Sequence, residues 1–308
     1  MNEEEITKPW NSNEEMERYD SLFPLLPDYV AHYTIGGKYT PRIGIPDRPS
    51  FRLAEELFAV LIADQMRIGI EYARKRYVDD FTETRWLGLT DKIDALFQEG
   101  RRGFSWYISA GFDLPKREGS FQDLSMQFFY RNIAAFDASK RLAELGYLCE
   151  VASILRSALE QFAFCAYLWN LEGAEELSSV TRKSSFNHFR KFVPATGRLY
   201  GLLSKYTHFE YDHHTHFFAY SHSEILTVQR GSVLRAYATH LLFLTMTCVA
   251  IYVLRIAPNQ FPSVPETLSG LREFVNKIND YSDQVCSILK LDSVLANFDI
   301  LLQEILKG

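Results

Sequence analysis

The strongest constraint on the fold is a run of 19 uncharged residues, Ala236 to Leu254, bounded by Arg235 and Arg255. A helix of that length comes close to spanning a bilayer. The run also contains Thr239, His240, Thr245 and Thr247, and no other segment resembles it. A helix enclosed by protein on every side produces the same pattern. The expectation is therefore a central core helix over about 231–256, ended by Pro258, Pro262 and Pro265, and no membrane.

A helix without a polar face needs other helices to cover it, and the chain supplies them. Ser50 reads as the cap of a helix running to about Tyr77, with Glu55 and Glu56 near its positive end. Thr90-Asp91 starts another that ends near Gly100, and 101–119 reads as mixed and turn-rich. Ser120 with Asp123 resembles a capping box opening a helix to about Leu145. Gly146 separates it from the next helix, 147–171, which ends at Gly173. Irregular helical stretches over 174–208, a histidine-rich loop over 209–223, and helices near 266–290 and 292–307 follow. Residues 1–50 hold six prolines and Gly36-Gly37 without a sustained period and read as an irregular arm. No strand alternation of useful length stands out. The expected class is all-α. A bundle of long helices over 120–258 is flanked by extra helices at 51–119 and 259–308, with the irregular N-terminal arm at 1–50.

The 23 Phe and 17 Tyr point to an aromatic core. The formal charge of −6 is concentrated at the start: seven acids against two bases in residues 1–20 account for −5 of it. No global field suited to nucleic acid follows. The four cysteines are dispersed without a CxxC pair, as expected of free buried thiols in a reducing cytoplasm. The acidic N-terminus lacks the basic and apolar regions of a secretory signal, so a cytoplasmic location is expected. P-loop, GxGxxG, GxSxG and kinase signatures are absent from the sequence, which argues against nucleotide hydrolysis and dinucleotide redox chemistry.

Two polar signatures interrupt the core pattern. On the 147–171 helix, Leu148, Ala152, Leu155, Leu159, Phe162 and Ala166 fall within an arc of about 80°. Arg156 and Glu160 lie one turn apart at its polar edge. They form either a surface ion pair worth a few tenths of a kcal/mol, or an arginine held by Glu160 and presented to a substrate or partner. On the 197–208 helix, Leu199, Leu202, Leu203 and Tyr206 make the apolar arc, and Ser204 and His208 share a face pointing away from it. His208, His213, His214, His216 and His222 then fall within fifteen residues, beside Glu210 and Asp212. Imidazole and carboxylate suit transition metals, which makes His213, His214 and His216 candidate ligands of a divalent metal. The spacing matches no HExxH or closed zinc module, and a solvated loop reads the same way. From Leu177 to Phe209 there is no acid, while Arg182, Lys183, Arg190, Lys191, Arg198 and Lys205 supply six cations. That stretch is a candidate RNA-binding surface, or a dock for the acidic arm.

The run Gly146…Glu150…Leu155-Arg156-Ser157…Glu160, followed by Leu203-Ser204-x-Tyr206-x-His208, resembles an uncharacterised family of bacterial all-helical proteins. The likeness covers about 145–210. Val151-Ala152 follows Glu150 here, so the family's Glu-Ala pair is shifted. That family carries no activity to transfer. More loosely, the bundle is similar to the HEPN superfamily of nucleotide-binding helical proteins, many of them ribonucleases of toxin and antiviral systems. Their mark is an arginine followed, four to six residues on, by a histidine. Two such spacings occur here, Arg182-x5-His188 and Arg235-x4-His240. The resemblance implies a histidine acting on a 2′-hydroxyl and an arginine stabilising the phosphorane. The expectation is a protein acting on RNA or a nucleotide, an effector ribonuclease of a toxin or antiviral-defence system. Its catalytic group would be His208, Arg156, Glu160 and Ser204. The alternatives are a non-catalytic module binding a protein partner or a second copy of itself, and a metal-dependent hydrolase built on the histidines from His208 to His222. No cofactor is expected beyond such a metal.

Overall fold

The computed structural model describes residues 29–34, 42–46, 56, 59–60, 63, 67–76, 88–114, 120–171, 173–208, 218–221, 224–228, 232–260, 268–289 and 295–307. In chain order the elements are β1 (Tyr29–Thr34), β2 (Arg42–Pro46), α1 (Ile70–Arg76), α2 (Thr90–Asp113), α3 (Gln122–Glu144), α4 (Leu148–Leu168), α5 (Ala174–Ser178), α6 (Arg182–Phe192), α7 (Thr196–Thr207), β3 (Phe218–Ser221), β4 (Glu224–Val228), α8 (Ser232–Gln260), α9 (Ser269–Leu289) and α10 (Leu295–Lys307). The class is all-α. Among the described residues strands occur as two antiparallel ribbons, β1–β2 and β3–β4, within the arm expected to be irregular and at the end of the expected 209–223 loop. Strands of four to six residues are too short for a period of two to emerge from the sequence.

The chain groups into two units, Met1–Gly88 and Leu89–Gly308. The boundary falls inside the expected 51–119 segment, and the C-terminal helices belong with the bundle. In the first unit the expected helix to Tyr77 is broken. Arg67 adopts a left-handed φ of 53°, and Ile68 N–H donates to Ala63 O at 3.0 Å, the bond that closes a helix end. α1 then starts afresh, and Arg74 joins Glu71 to Glu56 at 2.5 Å each.

The second unit is organised by α8. Every residue from Leu234 to Val253 is buried. α8 packs against α2, α3, α4, α6, α7, α9 and α10, which explains its uniform apolarity. Among the described residues it is the only helix long and apolar enough to cross a membrane. Three of its buried polar side chains are bonded. Thr245 and Thr247 donate to Leu241 O at 2.8 Å and Phe243 O at 2.7 Å, and His240 contacts Ala236 O and Ser282 Oγ, so burial leaves these groups bonded. Pro258 does not end α8, contrary to expectation. It forfeits one ladder bond in the last turn, and Gln260 beyond it accepts from the buried Tyr107 hydroxyl of α2 at 3.1 Å.

α2 runs straight through Gly100, Gly103 and Gly111, where a helix end and a turn-rich segment are expected. These glycines serve close packing. A Cβ on Gly103 would sit 2.6 Å from the Leu271 side chain, and one on Gly111 2.3 Å from Met126 Sδ. The expected capping box at Ser120 does not form. The N-cap of α3 is Phe121, without a side-chain cap, and Ser120 Oγ contacts Gln122 instead. Gly146, at φ 78°, does what its sequence position implies. Tyr147 N–H returns to Leu142 O and Gly146 N–H to Ala143 O, both at 3.0 Å. The left-handed turn this requires lays α4 back on α3. Rings then knit α2, α3 and α4: Phe129–Phe162 at 4.8 Å, Phe136–Phe162 at 5.3 Å and Tyr107–Phe129 at 5.2 Å. Cys165 and Cys248 are buried and free, and burial pushes their thiols up to about 12, which keeps them protonated and inert.

Two glycine substitutions should separate packing from propensity. Gly103→Ala drives its methyl into Leu271 and should cost about 1–3 kcal/mol in urea denaturation. Gly201→Ala, in α7 with nothing within 4 Å, should add about 0.5–1 kcal/mol. Equal effects would refute the packing role of Gly103.

Candidate functional site

The polar stripe of α4 meets α7. Leu148, Val151, Ala152, Leu155, Ala158, Leu159 and Phe162 turn inward and are buried, which leaves Arg156 and Glu160 on the flank that α6 and α7 cover. α7 buries Thr196, Leu199, Leu203 and Tyr206. One helical step round from that face, Tyr200 and Thr207, seven residues apart, share a stripe. Arg156 reaches both: Nε donates to the Tyr200 hydroxyl and Nη1 to Thr207 Oγ1, each at 3.1 Å. Its guanidinium also lies 5.2 Å from the Tyr200 ring centre, and Phe186 of α6 packs edge-on against that ring at 4.9 Å.

His208 joins this group. It is the C-cap of α7 with extended backbone, φ −96° and ψ 136°, so it has left the helical phase that would point it away. Arg156 Nη1 lies 3.3 Å from His208 Nε2. Arginine only donates, so this contact is a hydrogen bond in the tautomer that leaves Nε2 free to accept and carries the proton on Nδ1. His208 is exposed. The Ser204 hydroxyl makes none of these contacts among the described residues. Ser204 contributes its carbonyl, which accepts from His208 N–H at 2.9 Å and Thr207 Oγ1 at 2.9 Å.

Glu160 holds Arg156 indirectly. Its Oε1 accepts from Tyr200 at 2.6 Å, while Arg182 and Arg156 stand off at 3.5 and 3.8 Å. The short hydroxyl–carboxylate bond outweighs the two long, partly exposed ion pairs. Tyr200 is thus the pivot: it accepts from Arg156 and donates to Glu160. Neither Tyr200 nor Thr207 stands out in the sequence. The signal present was their seven-residue spacing beside the apolar arc of α7.

All six cations of the acid-free stretch are exposed. Space supplies acids that the local sequence lacks. Arg182 meets Glu160, and Arg198 pairs with Glu304 of α10. Lys183, Arg190, Lys191 and Lys205 have no acid partner among the described residues. The members of the two arginine–histidine spacings meet other partners. Arg182 faces Glu160, while His188 lies edge-on to Tyr167 at 5.5 Å with Asn170 Nδ2 3.3 Å from its Nε2. Arg235 and His240 are both 4% exposed, inside the bundle. His213, His214 and His216 lie outside the described residues. Among the described residues no group of three metal-ligating side chains occurs.

Next to the network, α3, α4 and α6 enclose an open cleft of about 440 Å³. Glu160 and Arg182 form part of its wall, with Arg131, Ser157, Gln161 and the edge-to-face pair Phe128–Phe164, 6.0 Å apart. No protein-family model, curated protein or solved structure matches the chain.

Tyr200→Phe should destabilise the protein by about 1–3 kcal/mol, because it strips a partner from both Arg156 and Glu160; a loss below 0.5 kcal/mol in denaturant titration would remove Tyr200 as the pivot. His188 yields a pH test. Burial, aided by Lys191, holds its ring below the ordinary value of 6.5. The unfolded chain therefore takes up that proton first as pH falls. The stability from neutral His188 is present in full above about pH 6.5 and falls away below it. His188→Gln should flatten the decline of stability between about pH 7 and pH 5; an unchanged slope assigns the proton uptake to other groups.

Proposed function

We propose that this is a HEPN-like helical protein acting on RNA or a nucleotide. In this reading it is a cytoplasmic effector ribonuclease of a toxin or antiviral-defence system, with His208 and Arg156 as its working pair. The observation that carries the reading is the 3.3 Å contact between Arg156 and an exposed His208. A phosphate entering beside His208 competes for the Arg156 donor and frees the Nε2 lone pair. His208 then accepts the proton of a ribose 2′-hydroxyl as the 2′-oxygen bonds to phosphorus. Arg156 stabilises the five-coordinate phosphorane. The bond from phosphorus to the 5′-oxygen breaks, His208 returns its proton to that oxygen, and a 2′,3′-cyclic phosphate and a 5′-hydroxyl result. Glu160 and Tyr200 orient Arg156. Lys183, Arg190, Lys191 and Lys205 attract the backbone.

A second reading has its own support. Arg156 spends its Nε and Nη1 on Tyr200, Thr207 and His208, on α7 and its C-cap, as expected of a clasp between α4 and α7 in a non-catalytic module that binds a protein partner or a second copy of itself.

Purified protein with labelled single-stranded RNA separates the two. His208→Ala should lower cleavage about 10²–10⁴-fold with binding nearly intact. Neutralising Arg190, Lys191 and Lys205 together should weaken binding and flatten its salt dependence by up to about three contacts' worth of slope. Absence of RNA binding at low salt, with full biological activity of His208→Ala, would replace the nuclease reading with the clasp.

A further inference from the structure

The cleft between α3, α4 and α6 shares Glu160 with the Arg156 network, and its walls have a definite character. Its volume of about 440 Å³ falls within the range of small-ligand sites, about 300–1,000 Å³. Phe128 and Phe164 are half-buried and leave apolar ring surface facing the cleft. Such surface takes a planar aromatic group. Arg131 is exposed and has no acid partner among the described residues, so its charge is not cancelled locally. Arg182 opens α6, whose N-terminal end adds a positive dipole on the same side.

The remaining polar atoms are of both kinds. Gln161 Nε2 donates to Ser157 Oγ at 3.1 Å, which leaves the amide oxygen and the serine proton for a ligand edge. All the contacts of Glu160 use Oε1. Its Oε2 has no partner among the described residues and can accept from a hydroxyl or amine. A carboxylate at one wall and an unpaired arginine at another also set direction. A ligand's phosphate is repelled from Glu160 and drawn chiefly to Arg131, with Arg182, 3.5 Å from Glu160 Oε1, adding less, while the ligand's donors turn to Glu160.

We propose that this cleft binds one nucleotide unit, with its base against Phe128 and Phe164 and its phosphate on Arg131 and Arg182. This rests on the reading that the protein acts on RNA or a nucleotide. The unit is either a free mononucleotide or one residue of a single-stranded RNA.

The full chain is titrated by calorimetry with AMP, GMP, CMP and UMP, with inorganic phosphate, and with a short labelled single-stranded RNA. Arg131→Gln and Phe128→Leu are tested alongside the wild type after thermal melts establish that each is folded. Arg131 is exposed, so its variant serves even if the phenylalanine variant fails to fold. At least one nucleotide or the RNA should bind more tightly than phosphate, and each variant should weaken that binding about tenfold or more. A free mononucleotide as tight as the RNA identifies the first source; RNA much tighter than any mononucleotide, with the same sensitivity to both variants, identifies the second. RNA binding that survives Arg131→Gln and Phe128→Leu unchanged, but falls when Arg190, Lys191 and Lys205 are neutralised, overturns the cleft and leaves the RNA reading standing. Absence of binding by every probe overturns both.

Discussion

The rest of the bundle depends on the burial of α8. A helix with no polar face gains only when every side is covered, and α8 is met by seven other helices. That requirement sets the character of its neighbours. α2 must approach closely with α9 behind it, and its glycines permit this: an added Cβ at Gly100 would meet Met246 of α8 at 2.8 Å. α6 is held from below by the stacking of Phe189 on Tyr252 at 4.7 Å and by Arg255, which reaches the Phe192 carbonyl at the end of α6. Core and surface are therefore linked in one direction. Helices that cover α8 with their apolar faces have their polar edges decided for them.

The Arg156 network is one result. α4 is pressed between α3, α8, α6 and α7, so the edge of its core arc ends in a seam between helices instead of in solvent. In that half-buried position Arg156 and Glu160 are only 25% and 28% exposed. An isolated surface pair at 3.8 Å would contribute little. The seam adds a phenol that bonds to both ions and a histidine at the end of the adjoining helix. The chemistry of the site arises from α7 being laid across α4, a long-range consequence of the cover that α8 needs.

Sequence legibility followed the range of the forces involved. The buried helix, the helix break at Gly146 and the inward arc of α4 are local patterns, and they read correctly. The glycines of α2 misread because a glycine that ends a helix and one that admits a neighbour look alike until Leu271 and Met126 are in place. Ser120 misread by a single residue, since Phe121 holds the cap position. His208 was assigned a face by extending helical phase past the point where α7 stops. Tyr200 was invisible because its partners, Arg156 and Glu160, are 44 and 40 residues away. The six cations of 182–205 were legible as a group, but the acids facing two of them come from α4 and α10.

The threonines of α8 bear on how the molecule is made. By returning their hydroxyls to carbonyls one turn back, Thr245 and Thr247 meet their own polar demands before any neighbour arrives. Such a segment is equally at ease in a protein interior, a bilayer or an aggregate, and its destination depends on what is nearest when it emerges. Of the helices that pack on α8, α2, α3, α4, α6 and α7 precede it in order of synthesis, and α9 and α10 follow. Five of the seven helices that cover α8 are thus made before it and two after, so part of its apolar surface stands bare until α9 and α10 have been made.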